Sequence, residues 1–103
     1  MNRPAQLEVH TAVLKLRLYV AGDAANSSQA VTNLNAICRN HFPDRCEIEI
    51  VDVFKEPGRA LAEGVFMTPM LLKLAPAPVQ RIVGTLGQTQ TVLHALGLEP
   101  IAP

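Results

Sequence analysis

The sequence predicts a single α/β domain in the element order β-α-β-α-β-β-α. Three observations predict it. Residues 12–20 and 46–54 alternate apolar and polar side chains with the period of a strand. Between them, apolar residues recur at helical spacing. Beyond them, two apolar runs, Met70–Leu74 and Val79–Val83, flank an Ala-Pro-Ala-Pro connector, which is the pattern of a hairpin.

The first strand sets Leu14, Leu16, Leu18 and Val20 on a dry face and Val13, Lys15, Arg17 and Tyr19 on a wetter one. Ala21-Gly22-Asp23 ends it. Asn26 is the expected N-cap of the first helix, with Gln29 three residues on at capping-box spacing. The helix stripe is Ala30, Val31, Leu34, Ile37 and Cys38, running to about His41, where Pro43-Asp44 stops it. In the second strand Cys46, Ile48 and Ile50 oppose Glu47, Glu49 and Val51. Its end, Ile-Val-Asp-Val-Phe, is apolar except for Asp52 and reads as an interior strand. A strand–helix–strand run predicts a parallel pair.

Lys55-Glu56-Pro57-Gly58 is a break, and Arg59–Glu63 is expected to form a short helix between Gly58 and Gly64. Thr68-Pro69 enters the hairpin. Proline suits the first residue of a strand because it has no N–H to give to the ladder, and this bond is also a candidate cis peptide. Pro76 to Pro78 turn the hairpin. Gln88–Leu98, with Val92, Leu93 and Leu96 on one face, reads as a closing helix, with a strand as the alternative. Residues 1–11 read as a flexible leader, 12–99 as the domain and 100–103 as a tail broken by Pro100 and Pro103.

A chain of 103 residues that is 49% apolar can bury one modest core. Nine basic residues balance nine acidic ones, Trp is absent, and there are one Tyr and three Phe. That balance argues against a nucleic-acid surface, which needs a basic excess and stacking platforms. Near-zero net charge is compatible with self-association into dimers or tetramers. Cys38 and Cys46 form no C-x-x-C motif and read as buried, reduced thiols. His10, His41 and His94 fall on different elements, so neither a metal site nor a cofactor is expected. No apolar stretch has the length of a signal-peptide core or a membrane span, and a cytoplasmic location is expected. Lys55, Arg59, Lys73 and Arg81 read as contacts for an acidic partner surface, or as ordinary solvated charges. Asp52 reads as a strand-end residue bonded to a loop, Glu47 and Glu49 as a solvated face, and Met67 and Met70 as core filler.

The predicted order is thioredoxin-like. The redox enzymes of that fold carry a cysteine pair at the start of the first helix. Here that position reads Ala24-Ala25-Asn26-Ser27, so no sulfur nucleophile is available there. No catalytic residue is assigned, and the chain is expected not to be an enzyme.

The residues Leu16-Arg17-Leu18-Tyr19-Val20-Ala21-Gly22, Asn26-Ser27, Leu34-Asn35 and Val51-Asp52-Val53-Phe54-Lys55-Glu56-Pro57 resemble the KaiB family of circadian clock proteins. So do Thr68-Pro69 and Pro76-Ala77-Pro78-Val79-Gln80-Arg81-Ile82-Val83-Gly84. The likeness runs without gaps from about Val13 to Leu98. It implies a non-enzymatic protein that binds a KaiC-like ATPase and modulates its phosphorylation or ATPase state in a clock, timer or stress-response system. Lys55, Glu56, Pro57, Arg59, Lys73 and Arg81 are the implied partner-binding residues. The alternative is a sensor or scaffold module for another signalling protein, since a clock-associated histidine kinase shares this domain.

The resemblance also implies fold switching between a thioredoxin-like monomer and a tetramer-forming β-α-β-β-α-α-β state. Thr68, Pro69, Pro76, Pro78, Gly84 and Ala95 are its implied hinge, and slow X–Pro isomerisation suits such a switch. Several positions depart from the family. Gln80 replaces an arginine, Glu49 a basic residue, Gly64 a lysine and Gly97 an aspartate, and the family's acidic C-terminal tail has no counterpart in residues 100–103. Charge reversal at Glu49 argues against a KaiA-type partner. Ala95 replaces a glycine, which favours the closing helix and therefore the thioredoxin-like state.

Overall fold

A leucine-rich strand is laid down first, and the other elements are placed against it. β1 (Leu14–Val20) is followed by α1 (Ala25–His41), β2 (Cys46–Asp52), α2 (Pro57–Ala62), β3 (Met70–Ala75), β4 (Gln80–Val83) and α3 (Thr89–Ala95). These elements come from a computed structural model, which describes residues 13–97. The leader and tail expected at 1–11 and 100–103, and His10, lie outside the described residues. The element order is the predicted one, with the C-terminal half in its hairpin form.

The sheet order is β2-β1-β3-β4. β1 runs parallel to β2, from Leu14 opposite Cys46 to Val20 opposite Asp52. β3 is antiparallel to β1, with Leu18 opposite Leu71 and Tyr19 opposite Met70. β4 is antiparallel to β3. Period-2 alternation gives β1 two buried faces. Leu14, Leu16, Leu18 and Val20 join Leu71 under α1 and α3, where Ala30, Leu34, Ile37, Val92, Leu93 and Leu96 close the main core. On the other face Tyr19, Val51 and Met70 meet Ala60 of α2 in a smaller core. Asn33 Nδ2 of α1 donates to the Thr85 carbonyl (2.8 Å), tying the long helix to the turn before α3.

Three local expectations are corrected. α1 starts at Ala25 with Ala24 as its N-cap and no side-chain cap, so Asn26 lies inside the helix. Ser27 turns inward instead, fully buried, and its Oγ accepts the Ala21 N–H (3.0 Å). That bond anchors the helix start to the end of β1. β2 is an edge strand, not an interior one, because only β1 pairs with it. Ile50 is accordingly 45% exposed. α2 begins at Pro57 rather than Arg59, with proline in the first turn, where its missing N–H leaves no bond unmade. Among smaller shifts, α3 is shorter than the predicted Gln88–Leu98. It ends at Ala95, and Gly97 follows with φ +71°, the left-handed conformation that commonly stops a helix. Thr68-Pro69 is cis, as are Ala75-Pro76 and Ala77-Pro78.

This placement separates two aliphatic residues of neighbouring strands. Leu18 is completely buried, so Leu18→Ala is expected to lower stability by about 2.5–5 kcal/mol. Ile50→Ala at the exposed edge is expected to change it by less than about 1 kcal/mol. Urea unfolding of the two variants, followed by circular dichroism, checks both values.

Candidate functional site

The long connection from β2 to β3, residues 53–69, carries α2 and most of the predicted contact residues. Asp52 starts it. Its Oδ1 accepts the N–H of Gly22 (3.2 Å) and of Phe54 (2.9 Å), while its carbonyl accepts from Lys55 and Glu56 (3.0 and 2.9 Å). Asp52 is therefore the loop-bonded strand end read from the sequence. Gly22 sits close beneath this turn: a Cβ there would lie 3.3 Å from the Phe54 ring. Lys55, Glu56 and Pro57 are exposed.

A six-residue helix is far below the length that holds alone in water. Ala60 is its single buried residue, and the rest of its attachment is ionic. Arg59 reaches Glu49 of β2 through both terminal nitrogens (2.9 and 3.1 Å) and Glu56 at 3.4 Å. Arg17 Nε donates to Glu49 (2.8 Å), and its terminal nitrogen donates to Glu63 (2.7 Å). Glu63 also accepts the Tyr19 hydroxyl (2.8 Å). Charges thus alternate along Glu56, Arg59, Glu49, Arg17 and Glu63, across three elements and the residues that flank α2 at either end.

The electrostatics follow the geometry. The Arg59 and Arg17 guanidinium groups hold the Glu49 carboxyl down to about 2. The Tyr19 hydroxyl and Arg17 hold Glu63 below the usual carboxylate range. Glu49 raises Arg17 and Arg59 in return. Burial, then the bond to Glu63, pushes the Tyr19 phenol up. Arg81 on β4 is exposed, stands 4.0 Å from Met70 Sδ, and adds its charge to the field at Glu63. A Cβ at Gly64 would lie 3.8 Å from an Arg81 nitrogen, an ordinary van der Waals contact, so this arginine runs alongside the turn after α2.

The predicted contact residues do not form one set. Lys55, Glu56, Pro57, Arg59 and Arg81 are at the surface or partly so, but Lys73 is 2% exposed. It lies opposite Leu16 and Gln80 in register, on the face covered by α1 and α3 rather than the face carrying α2. β3 is an inner strand, so alternation turns its odd-numbered residues into the main core whatever their charge. Burial pushes the Lys73 ammonium down. Lys73 is thus withdrawn from the surface group. Met70 is core filler, as read, but Met67 is 63% exposed and is not.

The hinge residues also divide. Pro69 is fully buried at the entry of β3, and its carbonyl accepts the Gly84 N–H (2.9 Å) from the end of β4. Pro76 and Pro78 lie at the other end of the hairpin, and Ala95 closes α3. The sequence also left unseen an apolar group on the 53–69 connection. Phe54, Leu61 and Phe66 are exposed beside Met67, Phe66 by 85%. The visible signal was that these side chains interrupt a loop otherwise rich in charge and glycine. Among the described residues no three His, Cys, Asp or Glu side chains are grouped to hold a metal, and no helix is long and apolar enough to cross a membrane.

The KaiB domain model matches residues 17–98. The chain belongs to the KaiB domain family. It is 41% identical over 85 residues to circadian clock protein KaiB3 of Synechocystis sp., covering 82% of this chain and 83% of that protein. The match to circadian clock oscillator protein KaiB of Prochlorococcus marinus strain MIT 9312 is 40% over 83 residues, covering 81% and 79%. Solved structures show the fold of this KaiB domain to be thioredoxin-like. The N-terminal domain of Synechococcus elongatus SasA superposes with a TM-score of 0.70 at 19% identity, over 89% of this chain and 90% of that one. The germline thioredoxin Deadhead of Drosophila melanogaster gives 0.66 at 14% identity, over 89% and 88%. This KaiB domain has alanine and polar residues at the helix start where the fold's redox members carry thiols; its own cysteines, Cys38 and Cys46, sit at the other end of α1.

The ionic lattice makes stability depend on acid. Glu49 titrates lower in the folded chain than its ordinary 4.5, so its contribution is complete above that value. It is lost as the pH falls from about 4.5 toward 2. Thermal unfolding followed by circular dichroism should show a falling Tm across this window. Glu49→Gln should flatten the fall, and 1 M salt should weaken it.

Proposed function

We propose that this KaiB domain is a non-enzymatic cytoplasmic regulator that binds a KaiC-like ATPase. It modulates the phosphorylation or ATPase state of that partner in a circadian clock, a timer or a stress response. The observation that carries this function is the 41% identity to a protein named as a circadian clock KaiB, spanning nearly all the described fold. The proposed contact surface is the 53–69 connection with Arg81. Exposed Phe54, Leu61, Phe66 and Met67 supply apolar area, and Lys55, Glu56, Pro57, Arg59 and Arg81 supply the polar rim. Central apolar anchors ringed by charge are the usual anatomy of a binding patch. Arg59 serves this surface through Glu49 and Glu56, which fix its direction. Glu49 and Glu47 make the β2 edge acidic, which disfavours a KaiA-type partner that meets basic residues there.

The alternative is a sensor or scaffold module for another signalling protein, and the fold likeness to the SasA N-terminal domain supports it. The clock-protein relatives at about 40% identity weigh toward the first function. Mixing the full chain with the KaiC-like ATPase of the same genome, with ATP or ADP, is expected to give a complex on size exclusion. No complex under any nucleotide condition would overturn the proposal. Phe66→Ser should leave Tm unchanged and weaken the complex at least about tenfold.

The same function includes rearrangement of the C-terminal half to the β-α-β-β-α-α-β order, with Thr68, Pro69, Pro76, Pro78, Gly84 and Ala95 as the hinge. The support is the family resemblance and the placing of these residues at the boundaries of β3, β4 and α3. Ala95→Gly, at the last residue of α3, weakens the helix by about 0.5 kcal/mol, roughly twofold in any equilibrium that unmakes it. It should raise the tetramer fraction on size exclusion and add a second set of amide signals in NMR spectra. Spectra and elution unchanged from the parent chain would count against the switch.

A further inference from the structure

At the end of the sheet away from the contact surface, two cysteines line one cleft. Cys38, near the C-terminal end of α1, is buried in the main core, and Cys46, the first residue of β2, packs half-buried against the same core. Each thiol feels the other: Cys46 helps to push Cys38 up, while Cys38 draws Cys46 down against the effect of its burial. Both line one open cleft of about 340 Å³, walled also by Phe42, Pro43 and Asp44 of the connecting turn. Solvent and small molecules therefore reach the pair from one side. No third metal-binding side chain joins it among the described residues, so the chemistry open to it is that of a dithiol.

We propose that Cys38 and Cys46 are an oxidisable pair that closes to a reversible intramolecular disulfide on reaction with a hydroperoxide. Cys46 is the attacking sulfur. It is the less buried of the two, it borders solvent, and the Arg45 cation beside it favours its thiolate. The Cys46 thiolate attacks one peroxide oxygen and the O–O bond breaks. The sulfur becomes a sulfenic acid, and the other oxygen leaves as hydroxide and takes up a proton. Cys38 then gives up its proton, its sulfur attacks the Cys46 sulfur, the S–O bond breaks, and the oxygen leaves as water. Two thiols and one hydrogen peroxide give one disulfide and two waters. The two sulfurs together lose two electrons and the peroxide gains them. An external dithiol reverses the step by exchange.

Burial pushes both thiols up, so little thiolate exists at neutral pH and the reaction should accelerate about tenfold per pH unit between 7 and 9. The bridge ties the last turns of α1 to the first residue of β2. By restricting the unfolded chain it should raise Tm by at least about 5 °C. This proposal is independent of the ATPase partner and is tested on the chain alone.

The full chain is treated with hydrogen peroxide at pH 8, then assayed for thiols after denaturation and weighed by mass spectrometry. Expected are loss of both thiols, a mass decrease of about 2 Da, a non-reduced peptide joining Cys38 to Cys46, and full reversal by dithiothreitol. Cys38→Ser and Cys46→Ser should each abolish the mass decrease, and should a variant not fold, the wild-type peptide map decides alone. Overturning results are two thiols that persist, disulfide-linked dimers in place of the internal bridge, or a mass gain from sulfinic or sulfonic acid on unbridged cysteines.

Discussion

Everything in this fold depends on β1 being buried on both faces while paired on both edges. Only Lys15 at its start is exposed; further along the strand water has little access, and a polar group there needs an internal partner. The leucine row meets this by packing under two helices. The opposite row does not consist of leucines. Arg17 and Tyr19 project there, and their polar ends need acceptors, which Glu49 and Glu63 supply. The position of α2 and the turn after it is in this sense a consequence of what β1 carries. Arg59 is drawn to the same carboxylate that serves Arg17, and Glu63 caps the pair Arg17 and Tyr19.

This arrangement explains how a short helix with Gly58 in its first turn and Gly64 just beyond its end can hold a defined place. Its own hydrogen bonds are few and its buried apolar surface is one alanine, so tertiary charges fix it. The exposed aromatic and aliphatic side chains that follow are then presented on a supported element rather than a free loop. Binding surfaces built this way lose less entropy on association. The acidic edge of β2 works in the other sense. Charged side chains on an unpaired strand discourage the addition of a further strand from another copy.

Much of this architecture was legible in the sequence, because alternation and helical spacing are local signals. β1, α1 and the hairpin could each be placed from their own residues. What failed were properties set by neighbours. The apolar end of β2 looked interior because composition reports hydrophobicity and not how many strands flank it. Asn26 looked like a cap, but the helix starts two residues earlier than that cap implies and turns Ser27 inward to the Ala21 amide. The site was less legible than the fold. Glu63, which joins the part-buried Arg17 and the buried Tyr19 of β1, is separated from them by more than 40 residues and has no motif to announce it. Lys73 carries the charge of a surface residue, but its position in an inner strand, opposite Leu16 and Gln80, turns it to the covered face.

That buried lysine sets the character of the hairpin. β1 sits in the sheet with Arg17 and Tyr19 bonded to carboxylates, whereas Lys73 of β3 makes no ion pair among the described residues. Its residue is 2% exposed, yet no buried polar side-chain atom there lacks a partner, so its stem is covered and its ammonium keeps a path to water. That path exists in one register only. A slip of β3 by a single residue would turn Lys73 to the face that carries α2 and bring Leu72 to the main core. The lysine in the middle of the strand thus helps to fix where the hairpin from Pro69 to Gly84 lies on β1, a part that its apolar composition does not suggest.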